Sequence, residues 1–470
     1  MNNFSSFTAA ELAKGFKEKK FSPTEVVEYF LRRIEDINPH INAFYHVAAN
    51  EARRMAKESA ERWMKNAPLS PLDGVPTSIK DALPSIGAPS FRGSLAHNAD
   101  RQSFEVDAPV VARMREAGMV FLGKTTMPDF GIFASGLSSK HGVTRNPWNL
   151  QKTTGGSSSG TAASIAAGLN PLAVGTDIVG SIRLPASFCG IFGFKPSQGR
   201  VPYYFPNSPA LVAGPMARDV TDASMLMDII ARPDKRDFTA LPYDGVGYEA
   251  VIHEKISSPR LGFIRSVGFG AEPDPNVLDV VTEAVRVLKS AGYVVEELEV
   301  SFSVEDLQAA ERFYKSRARA EFNQFSDERR DAATVISEWS AEAETMSAVT
   351  LYSDFNRLQS IRERTAALAQ DFDFLVLPSV HTPPFDADQP GLGVSRLFEP
   401  WINNFIFNLS EQPASSNPCG IVRENLPVGL QIVGQRFADV DVFRLSKSVE
   451  ELFGWRKTLD AMTNIVPTGF

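Results

Sequence analysis

Thr154-Gly155-Gly156-Ser157-Ser158-Ser159-Gly160-Thr161, followed by Gly175-Thr176-Asp177-Ile178-Val179-Gly180-Ser181-Ile182-Arg183, decides how this chain is read. Each stretch sets a serine in a Gly-rich turn. Between them lies Thr161-Ala162-Ala163-Ser164-Ile165-Ala166-Ala167-Gly168, whose small side chains suit a helix packed closely by its backbone. Such turns present successive backbone N–H groups, and a serine within one can attack a carbonyl whose oxygen those groups hold. A turn that opens a helix adds the positive potential of a helix N-terminus. A flexible Gly/Ser linker would have the same composition, but the helix that follows directly argues against it. No Gly-Lys-Ser/Thr follows, so the turn is not a phosphate loop, and Ser157 is not in a Gly-x-Ser-x-Gly elbow.

A nucleophile needs a base. Upstream, Gly74-Val75-Pro76-Thr77-Ser78-Ile79-Lys80-Asp81 ends an apolar, strand-like run in a lysine. Most lysines are solvated surface charges, and one acts as a base only when burial or neighbouring positive potential lowers its pKa. Histidine is the competing base. None of His40, His46, His97, His141, His253 and His381 stands in a recognisable pairing with a serine, although a triad assembled in space would leave no such mark. Asp177 and Arg183 are expected to form an ion pair that braces their loop, holding its N–H groups in one direction as an oxyanion hole.

Bulk properties set the frame. The 470 residues carry a net charge of −8, which argues against a broad basic face for nucleic acid. Two cysteines, Cys189 and Cys419, make neither a disulfide framework nor a four-thiolate zinc site, and read as buried thiols in a reducing compartment. Met1 to Phe7 and the charged residues after them lack a secretory h-region, and runs such as Phe374-Leu375-Val376-Leu377 are too short to span a bilayer. A cytoplasmic protein without a membrane partner is expected.

Ser22-Pro23-Thr24-Glu25 is a capping box with Pro at the first helical position, opening an amphipathic run through Val26, Val27, Phe30, Leu31 and Ile34. Helices are further expected over 48–64, 109–117, 161–167, 277–290, 304–314 and 440–452. Strands are expected over 75–79, 120–122, 172–174, 261–264, 294–300, 374–377 and 428–433. Strands alternating with longer helices imply a layered α/β fold with a buried sheet. No low-complexity linker divides the chain, so 1–470 reads as one domain: a helical segment 1–66, a core 67–230 and a remainder 231–470. Residues 232–258, polar and proline-containing, read as a peripheral excursion.

Taken together these residues resemble the amidase signature family. The likeness rests on Gly-Val-Pro-x-x-x-Lys-Asp ending at Lys80-Asp81, Gly-Gly-Ser-Ser at 155–158 and Gly-Thr-Asp-x-x-Gly-Ser-Ile-Arg at 175–183. Gly123-Lys124-Thr125, Asn146-Pro147-Trp148, Phe188-Cys189-Gly190, Gly193-Phe194-Lys195-Pro196, Gly214-Pro215-Met216 and Leu426-Pro427-Val428-Gly429-Leu430-Gln431 extend it over nearly the whole chain. The resemblance implies an α/β/α layered domain around a twisted, mixed sheet of about eleven strands. It also implies amide hydrolysis without metal or cofactor. Ser181 would be the nucleophile and acyl carrier. Ser157, preceded by a cis peptide bond, would bridge it to neutral Lys80. Ile178, Val179, Gly180 and Ser181 would receive the oxyanion on their N–H groups, with Asp177 and Arg183 in support. Val179 and Ser159 stand where the family usually has glycine. Val179 must therefore keep φ negative, and its isopropyl group is expected to narrow the acyl pocket.

The family includes small-molecule amidases and the glutaminase-type A subunit of a glutamine-dependent amidotransferase. The latter carries Ser-x-Asp before its Gly-Pro, where this chain has Ser208-Pro209-Ala210-Leu211-Val212-Ala213-Gly214-Pro215. Met127 to Phe133, with Gly131 and Ile132 as substrate contacts, are expected to line the pocket together with a carboxy-terminal stretch holding Phe398, Trp401, Phe405 and Phe407, although such aromatics more often fill a core. Such aromatics favour a small aryl or alkyl carboxamide, or a related hydrazide or urea, over glutamine. A non-catalytic amide-binding scaffold is the remaining alternative, disfavoured because Lys80, Ser157 and Ser181 are all present. A homodimer is the expected assembly.

Overall fold

The structure is a computed structural model that describes residues 3–97, 104–203 and 209–465. Of the residues read from the sequence, Met1, Asn2 and Ser208 lie outside the described residues.

Eleven strands make one mixed sheet. They are β1 (Phe44–Val47), β2 (Pro76–Lys80), β3 (Val120–Thr125), β4 (Leu172–Asp177), β5 (Phe192–Lys195), β6 (Val212–Ala217), β7 (Arg260–Phe263), β8 (Val294–Glu297), β9 (Phe374–Pro378), β10 (Ala414–Val422) and β11 (Leu426–Gly434). Their order across the sheet is β1-β3-β2-β4-β6-β5-β10-β11-β9-β7-β8. The neighbours β3, β2 and β4 run parallel, as do β9, β7 and β8. From β4 to β9 every pairing is antiparallel. Strands β2, β3, β4, β6 and β11 are buried at every position, so helices cover both faces of the sheet. The expected mixed α/β architecture is the one observed.

Local chemistry explains the elements that matter here. Ser22 caps helix Pro23–Ile41, its hydroxyl accepting from the Glu25 N–H while the Glu25 carboxylate accepts from the Ser22 N–H. The Ser-rich turn enters helix Ser159–Ala166, every residue of which is buried. That helix can lie so deep because Gly160 has no Cβ. An added Cβ would sit 2.3 Å from the Ala43 carbonyl oxygen and 2.5 Å from the Thr126 nitrogen. The helix feeds β4, and β4 pairs in parallel with β2. Parallel pairing brings the C-terminal ends of β2 and β4 to one edge of the sheet, carrying Lys80 and Asp177 there together, which is where open α/β sheets place their ligands.

Two expectations need adjusting. The helix expected to end at Tyr314 runs on, from Val304 to Phe322, and so reaches the site. The strand expected over 294–300 ends at Glu297. Residues 232–258 form one short helix, Tyr248–Val251, within otherwise irregular and largely exposed chain. No helix among the described residues is long and apolar enough to cross a membrane.

Gly160→Ala tests the close packing of the Ser-rich turn. Overpacking against backbone atoms, which cannot rotate away, is expected to lower stability by about 1–3 kcal/mol, measured by urea unfolding. A loss indistinguishable from zero would mean the helix is free to retreat.

Candidate active site

Lys80 ends β2 fully buried, and its Nζ donates to three hydroxyls: Ser157 Oγ at 2.9 Å, Ser158 Oγ at 2.9 Å and Thr176 Oγ1 at 2.8 Å. The Thr176 carbonyl lies at 3.4 Å. No carboxylate among the described residues touches the amine. Burial lowers its pKa, the Asp177 charge opposes this, Arg92 adds to the lowering and Asp81 opposes it, leaving the amine at about 7. Sequence reasoning singled out Ser157 and passed over Ser158 and Thr176. Both lie within the quoted motifs, and the available signal was their hydroxyls.

The two serine turns are tied by their backbones. The Ser158 N–H donates to the Ser181 carbonyl at 3.2 Å, and the Gly156–Ser157 peptide is cis. Ser157 and Ser181 line the same cavity. Ser181 Oγ is buried and has no hydrogen-bond partner among the described residues. Lys80 and Ser157 are therefore in direct contact, whereas Ser181 Oγ shares their cavity without a hydrogen bond to either; catalytic hydrogen bonds often tighten only when substrate binds.

Asp177 braces the second turn. Its carboxylate pairs with Arg183 at 3.0 Å, both side chains being fully buried, and accepts from the Gly180 N–H at 2.8 Å and the Ile182 N–H at 3.1 Å. Burial alone would raise its pKa, but the Arg183 charge and hydrogen bonds, with Asn408, hold it down to about 2. Arg183 also reaches Gln431 Oε1 at 2.7 Å and the Asn404 carbonyl at 3.2 Å, so the second half of the chain grips the loop. Because Gly180 gives its N–H to Asp177, it is not free to hold an oxyanion. The N–H groups of Ile178, Val179 and Ser181 have no acceptor among the described residues. Gly180 serves by its conformation instead: φ is +129°, and a Cβ there would meet Asn404 Cβ at 2.6 Å.

The cavity is lined by Ala82, Arg92, Met127, Phe130, Gly131, Ser157, Thr176, Ile178, Ser181, Tyr203, Leu211 and Arg317, and its enclosed space is about 30 Å³. Gly131 lies on the wall, where a Cβ would stand 3.1 Å from Ser157 Oγ. Ile132 does not reach the cavity; it packs in the core and gives its N–H to the Asp129 carbonyl at 3.0 Å. Val179 keeps a negative φ, but its isopropyl group is in the core and does not narrow the cavity. The expectation for Phe398, Trp401, Phe405 and Phe407 is corrected likewise: all four are core residues and none lines the cavity, with Phe398 set edge-on against both Trp401 and Phe405. Trp401 supports the site from behind, its Nε1 donating to the Gly156 carbonyl at 3.5 Å. Phe130 and Tyr203 are the aromatic wall residues among the described ones. Arg92, Tyr203, Leu211 and Arg317 were not foreseen, since nothing in their local sequence marks them.

With this geometry in view, comparison with known proteins is informative. The family model Amidase matches residues 25–443. The A subunit of the glutamyl-tRNA(Gln) amidotransferase of Symbiobacterium thermophilum is 34% identical, the match covering 97% of this chain and 99% of that protein. An acylamidase of Rhodococcus erythropolis is 29% identical, with 98% of each covered. Among solved structures, a bacterial aryl acylamidase of the amidase signature family superposes with a TM-score of 0.89 at 29% identity, covering 98% of both chains.

Removing the loop's brace should be costly. Asp177→Ala leaves the Arg183 guanidinium buried without its counter-charge, and a loss of about 3–5 kcal/mol is expected. Chemical denaturation measures it; a loss under about 1 kcal/mol would show that Asn408, Gln431 and Asn404 suffice.

Proposed function

The chain belongs to the Amidase family and is a C–N hydrolase, and we propose that it cleaves a small aryl or alkyl carboxamide through an acyl-enzyme on Ser181. The observation that carries this reading is the buried Lys80 amine, at about 7, in hydrogen-bond contact with Ser157.

In the proposed reaction Ser181 Oγ attacks the amide carbonyl. Its proton passes to Ser157 Oγ as Ser157 passes its own to neutral Lys80. The carbonyl oxygen takes up the negative charge and is held by the N–H groups of Ile178, Val179 and Ser181. As the C–N bond breaks, the proton on Lys80 returns through Ser157 to the leaving nitrogen, giving a free amine and an ester on Ser181. Water then attacks that ester by the same relay, releasing the acid and restoring Ser181. A relay suits amides because their nitrogen leaves only when protonated.

A glutaminase-type amidotransferase component is the second reading, favoured by the 34% identical relative. Free glutamine is a zwitterion, and its ammonium group calls for a carboxylate. Among the described residues, none that lines the cavity is Asp or Glu. That chemistry favours the small carboxamide.

Three measurements test the proposal. Ser181→Ala should abolish both turnover and labelling by a fluorophosphonate; persistent labelling would place the nucleophile elsewhere. Lys80→Ala should lower kcat by several orders of magnitude, and near-normal rates would remove it from the relay. Because the neutral amine is the active form, kcat/KM should rise with pH through an inflection near 7, the value to which burial brings Lys80. A profile flat from about pH 6 to 8 would contradict that role. A panel of aryl amides, aliphatic amides and glutamine, scored for released amine or ammonia, separates the two readings.

A further inference from the structure

The cavity that holds Ser157 and Ser181 is also lined by two arginines, Arg92 and Arg317. Arg92 is aimed by its backbone. The Asp81 carboxylate, one residue past Lys80, accepts from the N–H of Phe91 at 2.7 Å and of Gly93 at 2.7 Å. Arg92 is clamped between them in the left-handed region, at φ 48°, a conformation that a non-glycine residue keeps only when its surroundings fix it. Asp81 is itself held. Burial would raise its pKa, but hydrogen bonds from His141 and Tyr45 and the charge of Lys124 carry it well below the usual carboxylate range.

The two guanidinium groups are incompletely matched. The terminal nitrogens of Arg92 pair with Glu321, while its buried Nε has no acceptor among the described residues. Arg317 lies one turn before Glu321 on helix Val304–Phe322 and has neither an ion pair nor a hydrogen bond among the described residues. Burial and the Arg317 charge lower Arg92 to about 10, and burial lowers Arg317 too. Glu321 is the one carboxylate among the described residues that pairs directly with either cation, which leaves Arg317 without a counter-charge in contact. Half-buried charge of this kind is unfavourable unless a partner meets it.

We propose, resting on the amidase reading, that the substrate is an amide whose acyl portion carries a second, carboxylate group, gripped by Arg317 beside Arg92. The acyl portion is assigned because it stays on Ser181 after the amine has gone and must occupy the enclosed space. Arg317 would be a binding and specificity residue, with Arg92 and its Asp81 clamp as its positioned companion.

The test compares N-phenylsuccinamate with N-phenylpentanamide, two anilides of similar length and identical leaving group. The intact enzyme should favour the acid by about 10- to 100-fold in kcat/KM, chiefly through KM, as a charge-assisted contact would give. Arg317→Gln should erase most of that ratio, Arg317→Lys should keep part of it, and added salt should shrink it. A ratio near one in the unsubstituted enzyme, or one indifferent to Arg317→Gln, overturns the carboxylate site and leaves the amidase reading standing. An advantage seen only when the acid sits on the amine, as in N-butyryl-4-aminobenzoate, overturns the acyl-side assignment. Cleavage of neither anilide, with Ser181 unlabelled by fluorophosphonate, takes down the amidase reading and this inference with it.

Discussion

Everything in the site depends on an amine stripped of water. A lysine at the end of a fully buried strand has lost the hydration that favours its proton, and burial is the largest influence on Lys80. Salt-bridging the amine to a carboxylate would undo the effect by stabilising the cation. Three hydroxyls meet Nζ instead. Hydroxyls satisfy the amine in either charge state without fixing the proton there, since each can donate as well as accept. The carboxylates stay one layer away: Asp177 spends its acceptors on Arg183 and loop N–H groups, and Asp81 on Tyr45, Ser90, Phe91 and Gly93.

That layering explains why acidic residues flank the site without joining it. Asp177 and Asp81 each follow or close a strand whose end reaches the same sheet edge, and each organises backbone rather than chemistry. Asp177 divides the N–H groups of its loop. Those of Gly180 and Ile182 point to the carboxylate, which leaves Ile178, Val179 and Ser181 unengaged. A loop with all its amides turned outward would have no internal anchor. Its rigidity and the free N–H groups proposed to hold an oxyanion thus come from the same conformation, and Arg183 fixes that conformation to helix Ile402–Leu409 and β11.

The sequence was legible where a residue type has one physical meaning. The Ser22 capping box, the Asp177–Arg183 pair and the small-residue helix after the Ser-rich turn could be read directly, because each is a local pattern with a local cause. It was illegible where burial in the sheet overrode composition. Strand β6 contains Gly214 and Pro215, and β10 contains Ser415, Ser416, Asn417 and Pro418, residues that ordinarily mark turns. They sit in central strands because neighbours on both sides supply pairing. The pocket failed for a related reason. Phe398, Trp401 and Phe405 are apolar enough to line a pocket or fill a core, and only the course of helix Ile402–Leu409 settles which.

The division between the proposed reaction and the proposed selectivity follows the chain. Lys80, Ser157 and Ser181 come from β2 and the two turns flanking β4, all within the first half, and each is fixed by strand register or by backbone hydrogen bonds. Arg317 arrives from helix Val304–Phe322, a helix in the second half that reaches the cavity only because it runs eight residues past Tyr314. Groups that move protons must be held to fractions of an ångström, which demands particular residues at particular positions and leaves a motif. A wall side chain that meets one end of a substrate needs only to reach the right place, and many helices can deliver it. The chemistry proposed for this chain is therefore carried by short motifs, whereas the recognition proposed for it depends on how the second half folds over them.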